Sequence, residues 1–170
     1  MNQQEEEKVM TSTEVIPDWI RGLKDDLLSF LERVRHPGPY GRFRYAPEGC
    51  LLPHEPISSC YAFGILRAID AYDPLADEKK REWADYLSSF QDPETGDFWS
   101  EEIGCLCRPE EYGLDSEYLM RRMLTRNIAS TLQQMGFSPP HPLRYPEAEP
   151  FTDREKPIAH LDSFPWDASP

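Results

Sequence analysis

One loop of this sequence, residues 40–56, carries side chains suited to acid–base chemistry. His54 and Glu55 stand directly before a strongly apolar segment of helical period. An imidazole exchanges protons near neutral pH, and a neighbouring carboxylate can orient it as an acid or base. We therefore predict His54 and Glu55 as a catalytic pair. The alternative is that Glu55 only favours the start of a helix and that His54 is a solvated loop residue.

The first half of the same loop holds the predicted substrate-binding side chains, Tyr40, Arg42, Arg44 and Tyr45. An arginine guanidinium can bind a carboxylate through two parallel hydrogen bonds. Loops of this length are usually either functional or disordered, and the aromatic and basic content of this loop favours function. We expect these four residues to bind a glycan or another small molecule.

A second group of reactive side chains surrounds the turn in the stretch SSFQDPETGDFWSEE, residues 88–102. Two positioned carboxylates, one acid and one base, would suit glycoside or uronide cleavage, and Phe98 and Trp99 could stack on a sugar ring. The favoured alternative is that the carboxylates solvate the turn while the two aromatics fill a joint between helices. The carboxylates are Asp92, Glu94, Asp97, Glu101 and Glu102.

The cysteines lack the spacing of a structural metal site. Cys105 and Cys107 form a C-x-C pair, whereas structural zinc sites use paired C-x-x-C knuckles. Cys60 falls on an apolar helical segment, where a thiol is usually a small core residue. We predict no metal and no cofactor.

Charge and composition argue against several partners. The 170 residues include 31 Asp and Glu against 18 Lys and Arg, a net charge of −13 that repels nucleic acids and anionic membranes. The apolar runs fall far short of the roughly 20 residues that cross a bilayer. The N-terminus lacks the basic and apolar regions of a secretory signal. The protein is therefore predicted to be cytoplasmic, with reduced thiols and with no membrane or nucleic-acid partner.

Four segments have the apolar spacing of helices. The first ends at an HPGP motif. Residues 57–72 are apolar on nearly every face, as in a buried inner helix, whereas residues 78–91 carry the single apolar stripe of an outer helix. The fourth segment covers residues 115–136, with Gly136 at its C-terminal cap. A short connection makes the second and third helices antiparallel neighbours.

The chain is predicted to have three parts. Residues 1–16 are acidic and polar, as in disordered tails, and residues 17–137 form the helical domain. Prolines concentrate in residues 138–170, which are either an extended tail that lies along a protein partner or the start of a further repeat. No segment alternates as strands do, so the predicted fold class is all-α with one long loop.

A short internal repeat links the second and fourth helices. Three pairs of similar residues share an offset of 67 residues, which favours stacked hairpin units. The pairs are Ser58 with Thr125, Ala62 with Ala129, and Ile65 with Leu132.

The turn after residue 90 resembles a known motif, the QW-type repeat of terpenoid cyclases and protein prenyltransferases. In that repeat a glutamine ends an outer helix, a glycine turn follows, and an aromatic packs under the next inner helix. More broadly, the pattern is similar to the α/α-toroid folds, which include polysaccharide lyases and glycoside hydrolases. The residues that carry the resemblance are Tyr86, Phe90, Gln91, Gly96, Phe98 and Trp99.

This resemblance implies helical hairpins forming part of an α/α toroid, with a cleft where the inner helices begin, beside residues 40–56. The D-x-D-D and D-D-x-x-D motifs of cyclases and the D-x-C pattern of zinc prenyltransferases are absent from the sequence. We therefore expect a domain that processes or binds carbohydrate. Two alternatives stay open: a non-catalytic helical-repeat interaction domain, and part of a terpenoid-type enzyme whose motifs lie elsewhere.

Overall fold

The computed structural model of the protein describes residues 18–47, 56–104 and 116–144, together with residue 158. These residues form helices joined by turns, with two isolated antiparallel bridges and no sheet among them, which confirms the all-α prediction. The predicted N-terminal tail, most of the proline-rich segment, His54 and Glu55 lie outside the described residues. The helices are α1 (Asp18–Val34), α2 (Pro56–Ala68), α3 (Asp77–Ser88), α4 (Glu101–Gly104) and α5 (Ser116–Gln134).

The helix α3 is amphipathic, as the single stripe predicts. Trp83 and Leu87 are completely buried on this stripe, and the first turn of the helix is acidic, which suits the positive end of the helix dipole. Trp83 is the centre of an aromatic cluster in which its ring contacts four others at centroid distances of 5.2 to 6.2 Å. These four are Tyr40, Phe43, Phe63 and Tyr72.

The helix α2 contacts both α1 and α5. Most of its surface is buried, but Tyr61, Gly64, Arg67 and Ala68 are exposed along one strip. The prediction of burial on nearly every face is wrong for this strip, because a glycine and an arginine interrupt the apolar surface there. The helix also ends at Ala68, earlier than predicted.

Each of α1 and α3 runs into the same kind of turn, which we call a joint. Residues 34–44 form the first joint and residues 90–99 form the second. Each joint is closed by two backbone hydrogen bonds at equivalent positions. In the first joint, His36 N donates to Arg42 O (2.8 Å) and Arg44 N donates to Val34 O (2.8 Å). In the second joint, Asp92 N donates to Asp97 O (2.8 Å) and Trp99 N donates to Phe90 O (2.9 Å).

Both joints insert a buried phenylalanine beside the next long helix. The Phe43 N–H donates to Ser59 Oγ (3.1 Å), and the Phe98 N–H donates to Thr125 Oγ1 (2.9 Å). Both rings are almost fully buried, and both hydroxyls lie on helices that the joint must reach. The first joint therefore fastens α1 to α2 in the way that the second fastens α3 to α5.

The C-terminal ends of α2 and α5 are also alike. Asp70 (φ 52°) and Gly136 (φ 88°) both adopt the left-handed conformation that closes a helix. The cap predicted at Gly136 is confirmed. In each case the following residue donates back to the last full turn, from Ala71 N to Leu66 O (2.8 Å) and from Phe137 N to Leu132 O (2.9 Å).

These equivalences define the register between α2 and α5. Ser59 corresponds to Thr125, and Asp70 corresponds to Gly136. The offset of 67 residues suggested by the sequence is therefore one residue too long. With the corrected register, several buried positions of α2 coincide with buried positions of α5, among them Ala62 with Ile128 and Leu66 with Leu132.

The second joint is held by the side chain of Gln91, which is 8% exposed. Its Nε2 donates to Gly96 O (2.9 Å) and to His141 O (2.9 Å), while its Oε1 accepts from His141 N (2.8 Å). The Gln91 side chain thus satisfies backbone groups of two segments. It does so in the turn and also in the segment that follows α5.

The two aromatics of the second joint differ in burial, so we expect different responses to truncation. Phe98 is completely buried, and Phe98→Ala should lower the free energy of unfolding by about 3–5 kcal/mol. Trp99 is half-buried, with the Arg121 guanidinium 4.2 Å from its ring centre, so Trp99→Ala should lower it less. Urea denaturation measures both. Equal losses would contradict this ranking.

A glycine is required where each joint turns. Gly96 (φ 76°) lies against the Pro142 carbonyl, and a methyl group there would collide with it. Gly96→Ala should therefore destabilise the protein by about 1–3 kcal/mol. Gly22→Ala is the control, because Gly22 lies inside α1 with open space around it and alanine is the better helix former. A melting temperature of Gly96→Ala at or above that of the control would refute the assignment.

Candidate functional site

Tyr40 packs against α3. Its N–H donates to Glu82 Oε2 (2.6 Å), and its ring lies 5.6 Å from the ring of Trp83. The Lys79 ammonium sits 5.1 Å from the centre of the Tyr40 ring. Burial, and secondarily the charge of Glu32, raise the pKa of the Tyr40 phenol above its ordinary value. The phenol therefore stays protonated at neutral pH.

Arg42 is directed to the same helix as Tyr40. Its guanidinium carbon lies 5.1 Å from the centre of the Tyr86 ring on α3, a cation–π distance. The next residue, Phe43, enters the core, so Arg44 emerges on a different side of the first joint. The structure therefore places Tyr40 and Arg42 together on α3, apart from Arg44 and Tyr45.

Arg44 and Tyr45 line a groove between α1 and α2, which we call the α1–α2 groove. Arg44 Nη2 donates to the Arg33 carbonyl (3.3 Å) near the end of α1. Tyr45 is 71% exposed at the rim. The groove encloses about 160 Å³. It is lined by Phe30, Leu31, Val34, Phe43, Arg44, Tyr45, Ser58, Tyr61, Ala62 and Ile65.

Tyr61 is a member of this groove that sequence reasoning assigned to the buried face of α2. Its ring is 57% exposed, on the strip that Gly64, Arg67 and Ala68 continue along the helix. The signal was present in the sequence, because a glycine and an arginine follow Tyr61 at helical spacing. Two exposed tyrosine rings and one guanidinium thus border an apolar floor.

Positive charge collects near this groove although the chain as a whole is acidic. Arg33, Arg35 and Arg44 lie at the end of α1 or in the first joint, on a different side from Arg42. Of these, Arg35 forms a surface ion pair with Glu32, with 3.1 Å between Nε and Oε2. This pair has no net charge, so the positive charge beside the groove comes from Arg33 and Arg44. These two guanidinium groups would attract an anionic ligand.

Two carboxylates of the second joint have structural partners. Asp92 Oδ1 accepts the backbone N–H groups of Glu94 (2.7 Å) and Thr95 (3.3 Å). Asp97 accepts Arg122 Nη1 at 2.9 Å. For Asp92 and Asp97 this supports the interpretation in which they hold the turn.

Several predicted groups lie outside the described residues, namely His54, Glu55, Cys105 and Cys107. Their predicted roles remain predictions. Where the structure does place His, Cys, Asp and Glu side chains, no three of them come together in a way that could hold a metal ion. Among the described helices, none is long and apolar enough to cross a membrane.

Comparison with known proteins found no matching family model, no matching curated protein and no matching solved structure.

The Asp92 turn should make stability depend on pH. Hydrogen bonds from the Glu94 and Thr95 backbone lower the pKa of the Asp92 carboxyl below its usual 3.8. A lowered pKa contributes stability above pH 3.8 that is lost as the pH falls through the folded-state pKa. Asp92→Asn should therefore lose less stability than wild type between pH 6 and about pH 2. Melting temperatures across this range measure the effect, with Glu94→Gln as control. Parallel curves for wild type and Asp92→Asn would contradict the prediction.

Proposed function

We propose that the chain is a helical-hairpin domain of the α/α-toroid kind that binds carbohydrate through the α1–α2 groove, with uronate-containing glycans as the ligand class. The observation that carries the proposal is the pair of exposed tyrosine rings, Tyr45 and Tyr61, beside Arg44. Each part of the proposal has its own support.

The repeated joint supports a toroid-type architecture. Toroids are built from successive hairpins in which one helix lies inside and the next outside. In this chain the same joint follows α1 and α3, and the same cap ends α2 and α5. The unit of one amphipathic helix (α1 or α3), one joint and the next long helix (α2 or α5) therefore occurs twice. Repeats of this sort stack on their neighbours through equivalent faces.

The chemistry of the groove supports a sugar ligand. A pyranose ring has apolar C–H faces and a polar hydroxyl edge, so it suits a flat aromatic ring flanked by hydrogen-bonding groups. Tyr45 and Tyr61 offer such rings with their own hydroxyls. The apolar floor and the exposed aromatic rim are typical of a ligand-binding groove.

The local charge supports an acidic sugar over a neutral one. Arg44 donates one hydrogen bond from Nη2 to the Arg33 carbonyl (3.3 Å), and its guanidinium has further N–H donors. A guanidinium suits a carboxylate, because its donors are arranged as a fork. The neighbouring Arg33 adds to the attraction for a uronate.

Catalysis is a separate part of the proposal and depends on His54 and Glu55. These residues directly precede Pro56, the first residue of α2, which is the helix that also supplies Tyr61. As an acid–base pair they would process the glycan that the groove binds. Binding and turnover are therefore tested independently.

Binding is tested by calorimetric titration with oligogalacturonate and with a neutral oligosaccharide of the same length. We expect the uronate to bind more tightly. Tyr61→Ala and Tyr45→Ala should each weaken it about tenfold, which corresponds to about 1.4 kcal/mol. Tyr118→Ala is the matched control, because Tyr118 is an exposed tyrosine at the start of α5 and should leave binding unchanged. Equal loss in all three variants would contradict the groove as the site.

Turnover is tested with the same oligosaccharides in His54→Ala and Glu55→Ala. Undiminished turnover in both variants would remove these residues from the mechanism. If no glycan binds at all, the interaction domain becomes the better account, and binding of a prenyl diphosphate would favour the terpenoid-type alternative.

A further inference from the structure

A second groove lies on α5 and on the segment that follows it, and we call it the α5 groove. Its volume is about 400 Å³, within the range of small-molecule sites. The floor and walls combine apolar groups with a guanidinium, an amide and hydroxyls. The lining residues are Arg126, Ala129, Ser130, Gln133, Phe137, Ser138, Pro139 and Leu143. None of them belongs to the α1–α2 groove.

The register between α2 and α5 shows which groups fill the corresponding space in the first repeat. Phe63 corresponds to Ala129, and Tyr72 corresponds to Ser138. The rings of Phe63 and Tyr72 meet at right angles with centroids 4.8 Å apart. Both are almost fully buried against Trp83 of α3.

In the second repeat the methyl group of Ala129 and the hydroxymethyl group of Ser138 stand in place of these two rings. The one aromatic added is Phe137, at the position of Ala71, and its ring is half-buried on the groove wall. Leu143 is likewise only partly buried. Among the described residues, the α5 groove thus lacks the two rings that fill the equivalent space in the first repeat, and Phe137 and Leu143 border it. Cavities lined by apolar groups readily accept a ring-shaped guest.

The polar groups of the α5 groove indicate what the ring should carry. Arg126 occupies the position of the buried Cys60 and has no hydrogen-bond or ion-pair partner among the described residues. Its guanidinium is therefore available to a carboxylate in this part of the structure. Gln133 and Ser138 supply further hydrogen-bonding groups at the rim.

We propose that the α5 groove binds a small aromatic carboxylate. The aromatic ring lies on Ala129 between Phe137 and Leu143, where the first repeat holds the rings of its own side chains. The carboxylate pairs with Arg126. This site does not depend on carbohydrate binding in the α1–α2 groove.

The test uses 1-naphthoate and its neutral amide, 1-naphthamide, as probes of the full chain by NMR titration. Naphthoate should bind saturably and shift the backbone amides of residues 126–139. It should leave those of residues 58–65 unchanged. Naphthamide should bind about tenfold more weakly, because it has no charge for Arg126. Absence of saturable binding, or shifts confined to residues 58–65, would overturn the proposal.

Two variants separate the ring from the charge. Ala129→Phe restores the side chain found at the equivalent position of α2 and should weaken both probes at least tenfold, whereas Ala68→Phe, on the exposed strip of α2, should not. Arg126→Gln should weaken naphthoate about tenfold and leave naphthamide unchanged, with Arg81→Gln on the exposed face of α3 as control. If Ala129→Phe bound naphthoate as tightly as wild type does, the groove would not be a ligand site. The same conclusion would follow if Ala129→Phe changed the oligomeric state of the protein instead of its affinity for naphthoate.

Discussion

The fold depends on one hydrogen bond made twice, from the backbone N–H of a buried phenylalanine to a hydroxyl of the next long helix. At Phe43 and at Phe98 the chain has just left an amphipathic helix and turned at a glycine. A buried N–H without a partner costs about 1–3 kcal/mol. The hydroxyl that accepts from the phenylalanine N–H therefore stabilises the turn. Ser59 and Thr125 therefore determine where each hairpin meets its neighbour.

These two hydrogen bonds set the positions of the joints. The side chains beside each joint then determine the α1–α2 groove and the α5 groove. The first joint directs Arg44 and Tyr45 to the α1–α2 groove and Arg42 to α3. Among the described residues, the second repeat has Ala129 and Ser138 in place of the aromatic pair of the first, and the α5 groove lies there. A repeated framework with unequal filling can thus create sites without changing the backbone plan.

The sequence predicted the helices well because their apolar spacing is a local property. It identified the second joint but not the first, since Arg35 and Arg44 stand where the second joint has Gln91 and Trp99. The sites were harder to predict. Tyr40 and Arg42 were predicted as ligand groups from the aromatic and basic composition of their loop. That composition does not show which neighbour a side chain contacts, and the structure places both residues against α3.

The contact between Gln91 and His141 constrains how this sequence can change over evolution. Gln91 recognises only the backbone of residue 141, so the imidazole can be exchanged for other side chains. The exception is proline, which has no N–H to donate. Pro139, Pro140 and Pro142 surround this position in the sequence. In a stretch that accepts proline so freely, residue 141 is the site at which proline should be selected against.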